Sequence, residues 1–126
     1  MRYISPAQGP KPAGHYAHGV EHGGLLFVSG QLPLDPATGQ VVGATAAEQA
    51  ECALKNLAAV LAAGGSRPDR VLKVTVFLCD FDQRAAVNAA YAKFFGAHTP
   101  ARATIPTGPL PNGMLIEIEA IAATAG

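Results

Sequence analysis

Hydrophobic and polar positions recur along this chain in two rhythms. Between Thr45 and Gly64, Ala50, Ala53, Leu54, Leu57, Val60 and Leu61 fall at three- and four-residue spacing, the period of a helix with one buried stripe. Thr45-Ala-Ala-Glu48 is a capping box that opens this helix, and Gly64-Gly65 closes it. The same rhythm returns from about Gln83 to Phe95, with Val87, Ala90, Tyr91, Phe94 and Phe95 as the buried face. Asp82 is placed to cap that second helix and Gly96 to end it.

Elsewhere the pattern is that of strands. Residues 1–15 hold three prolines and two glycines and are expected to form an extended arm. Tyr16 to Glu21 and Leu25 to Ser29 predict a hairpin around His22-Gly23-Gly24, and Ser29-Gly30-Gln31 is expected to end its second strand. Asp35-Pro36-Ala37-Thr38-Gly39 is a turn. Val71 to Cys79 is β-branched and mostly apolar, which predicts a strand inside the sheet. Leu72, Val74, Val76 and Leu78 alternate onto one of its faces, with Val71 and Phe77 on the other.

After Thr99-Pro100 comes a strand carrying Arg102 and Thr104, limited by Pro106, Gly108, Pro109 and Pro111. A last strand runs from about Met114 to Ala123. The order β-β-α-β-α-β-β, with no internal repeat or linker, predicts one domain over residues 1–126. Its class is α+β: a mixed sheet with two helices on one face. Strands apolar on both faces leave the uncovered face to meet another copy of the chain.

Composition narrows the functions. Hydrophobic residues make up 49% and charged residues 14%, too apolar for a disordered chain and low in charge for a small monomer's surface. Nine basic and nine acidic residues cancel, and no basic stripe supports nucleic-acid binding. No segment approaches a membrane span, and the N-terminus has no apolar signal region. Cys52 and Cys79 are not a Cys-x-x-Cys pair and read as buried thiols in a reducing compartment. A cytoplasmic protein is expected, without a membrane partner.

The chemistry concentrates near the C-terminus. Arg102 follows a turn, and an arginine fork matches a carboxylate through two parallel hydrogen bonds. Glu117 lies fifteen positions later between Ile116 and Ile118, where desolvation favours its protonated form. An anion clamp and a tunable acid/base suggest a site for a small acidic substrate. His15, His18, His22 and His98 form no ligand spacing, and no metal site is expected.

Five motifs in order resemble one family. They are Gly14-His15-Tyr16, Leu26 to Pro33 (Leu-Phe-Val-Ser-Gly-Gln-Leu-Pro), Val87 to Tyr91, Pro100-Ala101-Arg102, and Ile116 to Ala122 (Ile-Glu-Ile-Glu-Ala-Ile-Ala). Together they resemble the Rid family of reactive-intermediate (enamine/imine) deaminases, also called the YjgF family, over nearly the whole chain. The resemblance implies a chorismate-mutase-like fold and a homotrimer with clefts between subunits. It implies hydrolysis of 2-imino acids, such as the 2-iminopropanoate formed from 2-aminoacrylate, to 2-keto acids and ammonia, with no cofactor. By motif position Arg102 resembles the family's carboxylate-binding arginine and Glu117 its water-orienting glutamate. Tyr16, Ser29, Gly30 and Asn88 match positions that line or support the cleft. Thr104 stands where many members carry cysteine, at a position whose backbone carbonyl serves the site. Ile105-Pro106-Thr107-Gly108-Pro109 departs from the valine-rich strand of relatives. Two other classes stay open: a non-catalytic ligand-binding or chaperone-like trimer, and an RNA-acting member of ribonuclease or translation-inhibitor type.

Overall fold

A computed structural model describes residues 1–124. Six strands form one mixed sheet in the order β1-β2-β3-β6-β4-β5. They are β1 (Arg2–Ile4), β2 (Gly19–His22), β3 (Leu25–Gln31), β4 (Val71–Leu78), β5 (Ala101–Pro106) and β6 (Ile116–Ala123), with helices α1 (Ala46–Ala63) and α2 (Arg84–Phe95). All neighbours are antiparallel except β4 and β5. The two helices pack against each other and cover one face, as the α+β expectation required.

α1 follows its pattern closely. Its capping box forms in both directions: Thr45 Oγ1 accepts from the Glu48 amide, and the Glu48 carboxylate accepts from the Thr45 amide. All six residues of its stripe are buried to 1% exposure or less. On β2–β3, Gly23 and Gly24 take φ of +60° and +82°, a left-handed pair that only glycine adopts cheaply.

Several expectations are corrected. The arm is not wholly without partners: Arg2, Tyr3 and Ile4 pair with Glu21, Val20 and Gly19 as an edge strand, and Ile4 is buried. The second strand begins at Gly19 rather than Tyr16, and the last at Ile116 rather than Met114. Asp80, not Asp82, supplies the carboxylate ahead of α2, accepting from the Asp82 amide at 3.0 Å across a single 3₁₀ turn. Cys79 lies just past β4, and both thiols are half-buried rather than buried.

Two further corrections share one cause. Pairing of β4 with β6 slips between Val71 and Lys73, so Val71 joins Val74, Val76 and Leu78 on the covered face while Leu72 is 48% exposed. Pairing of β3 with β6 slips between Val28 and Gln31, so β3 does not end at Ser29 but continues to Gln31. In each place one extra residue enters a strand, and such a β-bulge resets which face the following side chains take.

Candidate functional site

The second bulge builds one half of the candidate site. It consists of Ser29 and Gly30, between buried Val28 and Gln31. A β-carbon on Gly30 would stand 2.5 Å from Oε2 of Glu117, so glycine is what lets the carboxylate lie against the β3 backbone. Ser29 Oγ donates to the Ala17 carbonyl at 2.6 Å and ties the bulge to the segment carrying Tyr16. Tyr16 is half-exposed, stacks edge-on to His18 and accepts from the Ala13 amide. Tyr16 and Gly30 line the same small cleft.

His18 locks this region. Its Nδ1 accepts from Gln31 Nε2 at 3.0 Å, so its Nε2–H is the donor facing the Pro10 carbonyl. This buried histidine is fully used in holding the arm to β3. Among the described residues no cluster of three His, Cys, Asp or Glu side chains is placed to hold a metal.

Glu117 itself is half-buried on β6. Burial raises its carboxyl above the usual carboxylate range, and neighbouring Glu119 on the same face raises it further. Protonation is thereby made easier, which suits a group that takes up and returns a proton.

The other half is built by β5 and α2. Arg102 Nη1 donates to Asn88 Oδ1 at 2.8 Å, and its guanidinium lies 4.6 Å from the centre of the Tyr91 ring. A hydrogen bond on one edge and an aromatic face beneath leave the other donors of the fork free for a ligand. Asn88 is exposed and faces the arginine. Thr104 follows two residues along β5 and lines the same cleft, of about 420 Å³.

Tyr91 is the member that the sequence pattern hides. It sits on the buried stripe of α2, yet it also forms the floor beneath Arg102. Its hydroxyl is buried without a hydrogen-bond partner among the described residues. A tyrosine where phenylalanine would fill the same stripe is the available signal, because a buried hydroxyl asks for a partner.

The two halves do not meet within one chain. Arg102 and Thr104 pair with Val74 and Val76, which face the helices. Glu117 pairs with Phe77, which in turn pairs with Ile105, on the uncovered face. Alternation along strands therefore puts Arg102 and Glu117 on opposite faces of the sheet.

Fold and geometry define a small α+β protein that presents an ordered arginine at one sheet edge and a half-buried glutamate of raised pKa on the open face. Comparison with known proteins gives the family. The chain belongs to the Endoribonuclease L-PSP family, the YjgF/Rid family, whose sequence model matches residues 6–124. It is 43% identical over 113 residues to a RutC family protein of Pyrococcus horikoshii, covering 90% of each chain. It is 40% identical over 121 residues to the human 2-iminobutanoate/2-iminopropanoate deaminase, covering 96% of this chain and 88% of that one. The solved structure of E. coli TdcF with bound serine superposes with a TM-score of 0.93 at 34% identity, covering 99% of this chain and all (100%) of that one.

Proposed function

We propose that this protein is an enamine/imine deaminase that hydrolyses small 2-imino acids to 2-keto acids and ammonia. The observation that carries the reading is Glu117: a half-buried carboxyl with raised pKa, pressed against a glycine bulge, in a chain that also displays a pre-positioned arginine fork. The kinship with a human protein named for this activity supports it, as does the amino acid bound to a structural relative.

In this mechanism Arg102 holds the substrate carboxylate while Asn88 and Tyr91 keep its plane fixed. Glu117 accepts a proton from water as the water oxygen bonds to the imine carbon. The same carboxyl returns that proton to nitrogen, giving a carbinolamine; it then takes the hydroxyl proton and passes it to the amine, so that the carbon–nitrogen bond breaks and ammonia leaves as the ketone forms. Water is the only co-reactant. Thr104 borders the carboxylate, offering its backbone carbonyl to the nitrogen. Tyr16, Ser29 and Gly30 shape the wall around Glu117.

Because Arg102 and Glu117 occupy opposite sheet faces, the reaction needs two copies, one giving each half. A homotrimer, with each cleft between neighbours, satisfies this and covers the apolar open face. No metal or organic cofactor takes part.

The test is ammonia release from imines formed in place from a panel of amino acids by an amino-acid oxidase. Acceleration over the spontaneous reaction is expected, and none with any imine would overturn the reading. Sedimentation equilibrium should give a trimer at micromolar concentration; a monomer would remove the shared cleft. The matched family's description as an endoribonuclease favours a second reading, RNA cleavage. The zero net charge weighs against it, and salt-dependent RNA binding with cleavage would revive it.

A further inference from the structure

The cleft beside Arg102 contains a second guanidinium that the proposed reaction leaves unused. Arg84 is the first residue of α2, and Arg84, Asn88 and Tyr91 stand at i, i+4 and i+7 on one stripe of that helix. Asn88 and Tyr91 both hold Arg102. Arg84 lines the same cavity of about 420 Å³ as Asn88, Arg102 and Thr104. Its Nε donates to the Phe81 carbonyl at 2.9 Å, and its guanidinium lies 4.2 Å from the centre of the Phe81 ring. Among the described residues no carboxylate lies within ion-pair distance of it, although Asp82 borders the cavity. The side chain is thus already ordered, with its terminal donors free. An anion that binds there meets little further ordering cost.

We infer that Arg84 selects substrates with a second carboxylate, so the cleft takes dicarboxylic 2-imino acids and the matching 2-keto diacids. This rests on the reading of Arg102 as the clamp for the first carboxylate. Residues one helical turn apart are about 5–6 Å apart at their β-carbons, and Arg84 stands one turn from the asparagine that holds Arg102. Both arginines line this one cavity, where a four- or five-carbon diacid can place one carboxylate on each fork. The Asp82 carboxylate on the same rim weakens the positive field but is fixed to neither arginine, and with two arginines to one aspartate the cavity remains positive.

The experiment is calorimetric titration of the assembled protein with 2-oxoglutarate and with 2-oxopentanoate, which has the same chain length without the second carboxylate. Wild type should bind 2-oxoglutarate at least about tenfold more tightly, as expected for one added charge-assisted contact. Arg84→Gln should abolish that preference and leave 2-oxopentanoate affinity and melting temperature unchanged, since the residue is exposed. Arg84→Lys should keep part of it. Equal binding of both acids by wild type, or a preference that survives Arg84→Gln, would overturn the assignment of Arg84 alone. Binding of neither acid would overturn it together with the clamp reading of Arg102.

Discussion

On its helix-covered face the sheet buries Leu26, Val74, Val76, Ile116 and Ile118 to 1% exposure or less, whereas on the other face Phe27 and Ile105 remain 45% and 41% exposed. The strands are the same; only their alternate residues differ. The covered face is completed by this chain's own helices, so its side chains are chosen for packing. The open face keeps large apolar residues beside a carboxyl whose pKa is raised, features that packing within one chain does not require. Packing therefore dominates the covered face while the open face carries the glutamate of raised pKa, and substitutions should separate the two.

The largest effect is expected on the open face. Glu117→Gln keeps the shape and hydrogen-bonding capacity but cannot take up a proton near neutral pH. Turnover of 2-imino acids should fall by about 10²–10⁴-fold, the span for losing a general acid/base. Pyruvate binding is expected to persist, because the proposed carboxylate clamp is Arg102. Stability should move the other way. A carboxyl with a raised folded pKa contributes stability that is fully present below its unfolded pKa and lost as pH rises through its folded pKa. The variant should thus melt at or above the wild-type temperature at neutral pH, and the gap should close at pH below the ordinary carboxylate range. Unchanged turnover would remove Glu117 from the chemistry.

Leu57→Ala is the counterpart on the covered face. Leu57 is fully buried, so its truncation should cost about 2–5 kcal/mol in denaturant unfolding, while kcat of the folded fraction holds. A variant that folded as well as wild type but lost activity would break the division between faces.

Arg102→Lys sharpens it, because Arg102 projects on the helix side yet belongs to the site. Lysine keeps the charge but loses the planar fork that Asn88 and Tyr91 orient. We expect kcat/KM to fall by an amount equivalent to about 2–4 kcal/mol, with little change in melting temperature. Near-normal kinetics would mean another group holds the carboxylate.

The smallest effect is expected at the α1 cap. Thr45→Ala should lower stability by about 1 kcal/mol and leave kinetics untouched, measured by urea unfolding beside steady-state assays. A loss of turnover there would show that the α1 cap is coupled to the site.

Much of this molecule is legible in its amino-acid order alone. The α1 stripe and its capping box, the double-glycine hairpin, and the proline that ends β5 all rest on interactions within a few residues, where spacing and backbone preference decide the outcome. Arg102 and Glu117 are candidates for a similar reason: an arginine after a turn and a glutamate between isoleucines carry their chemistry in their immediate neighbours.

What tertiary structure alone decided concerns partners far apart in sequence. The two bulges cannot be read from period-two alternation, because the extra residue is defined only against β6. Arg2 to Ile4 become a strand only because β2 offers an edge. Asn88 turns outward because Arg102, fourteen residues on, is there to donate to it, and Tyr91 becomes the arginine's floor for the same reason. Above all, the register of β5 and β6 on β4 sends Arg102 and Glu117 to opposite faces. Each strand's alternation is local, but its phase relative to the next is set by long-range hydrogen bonding.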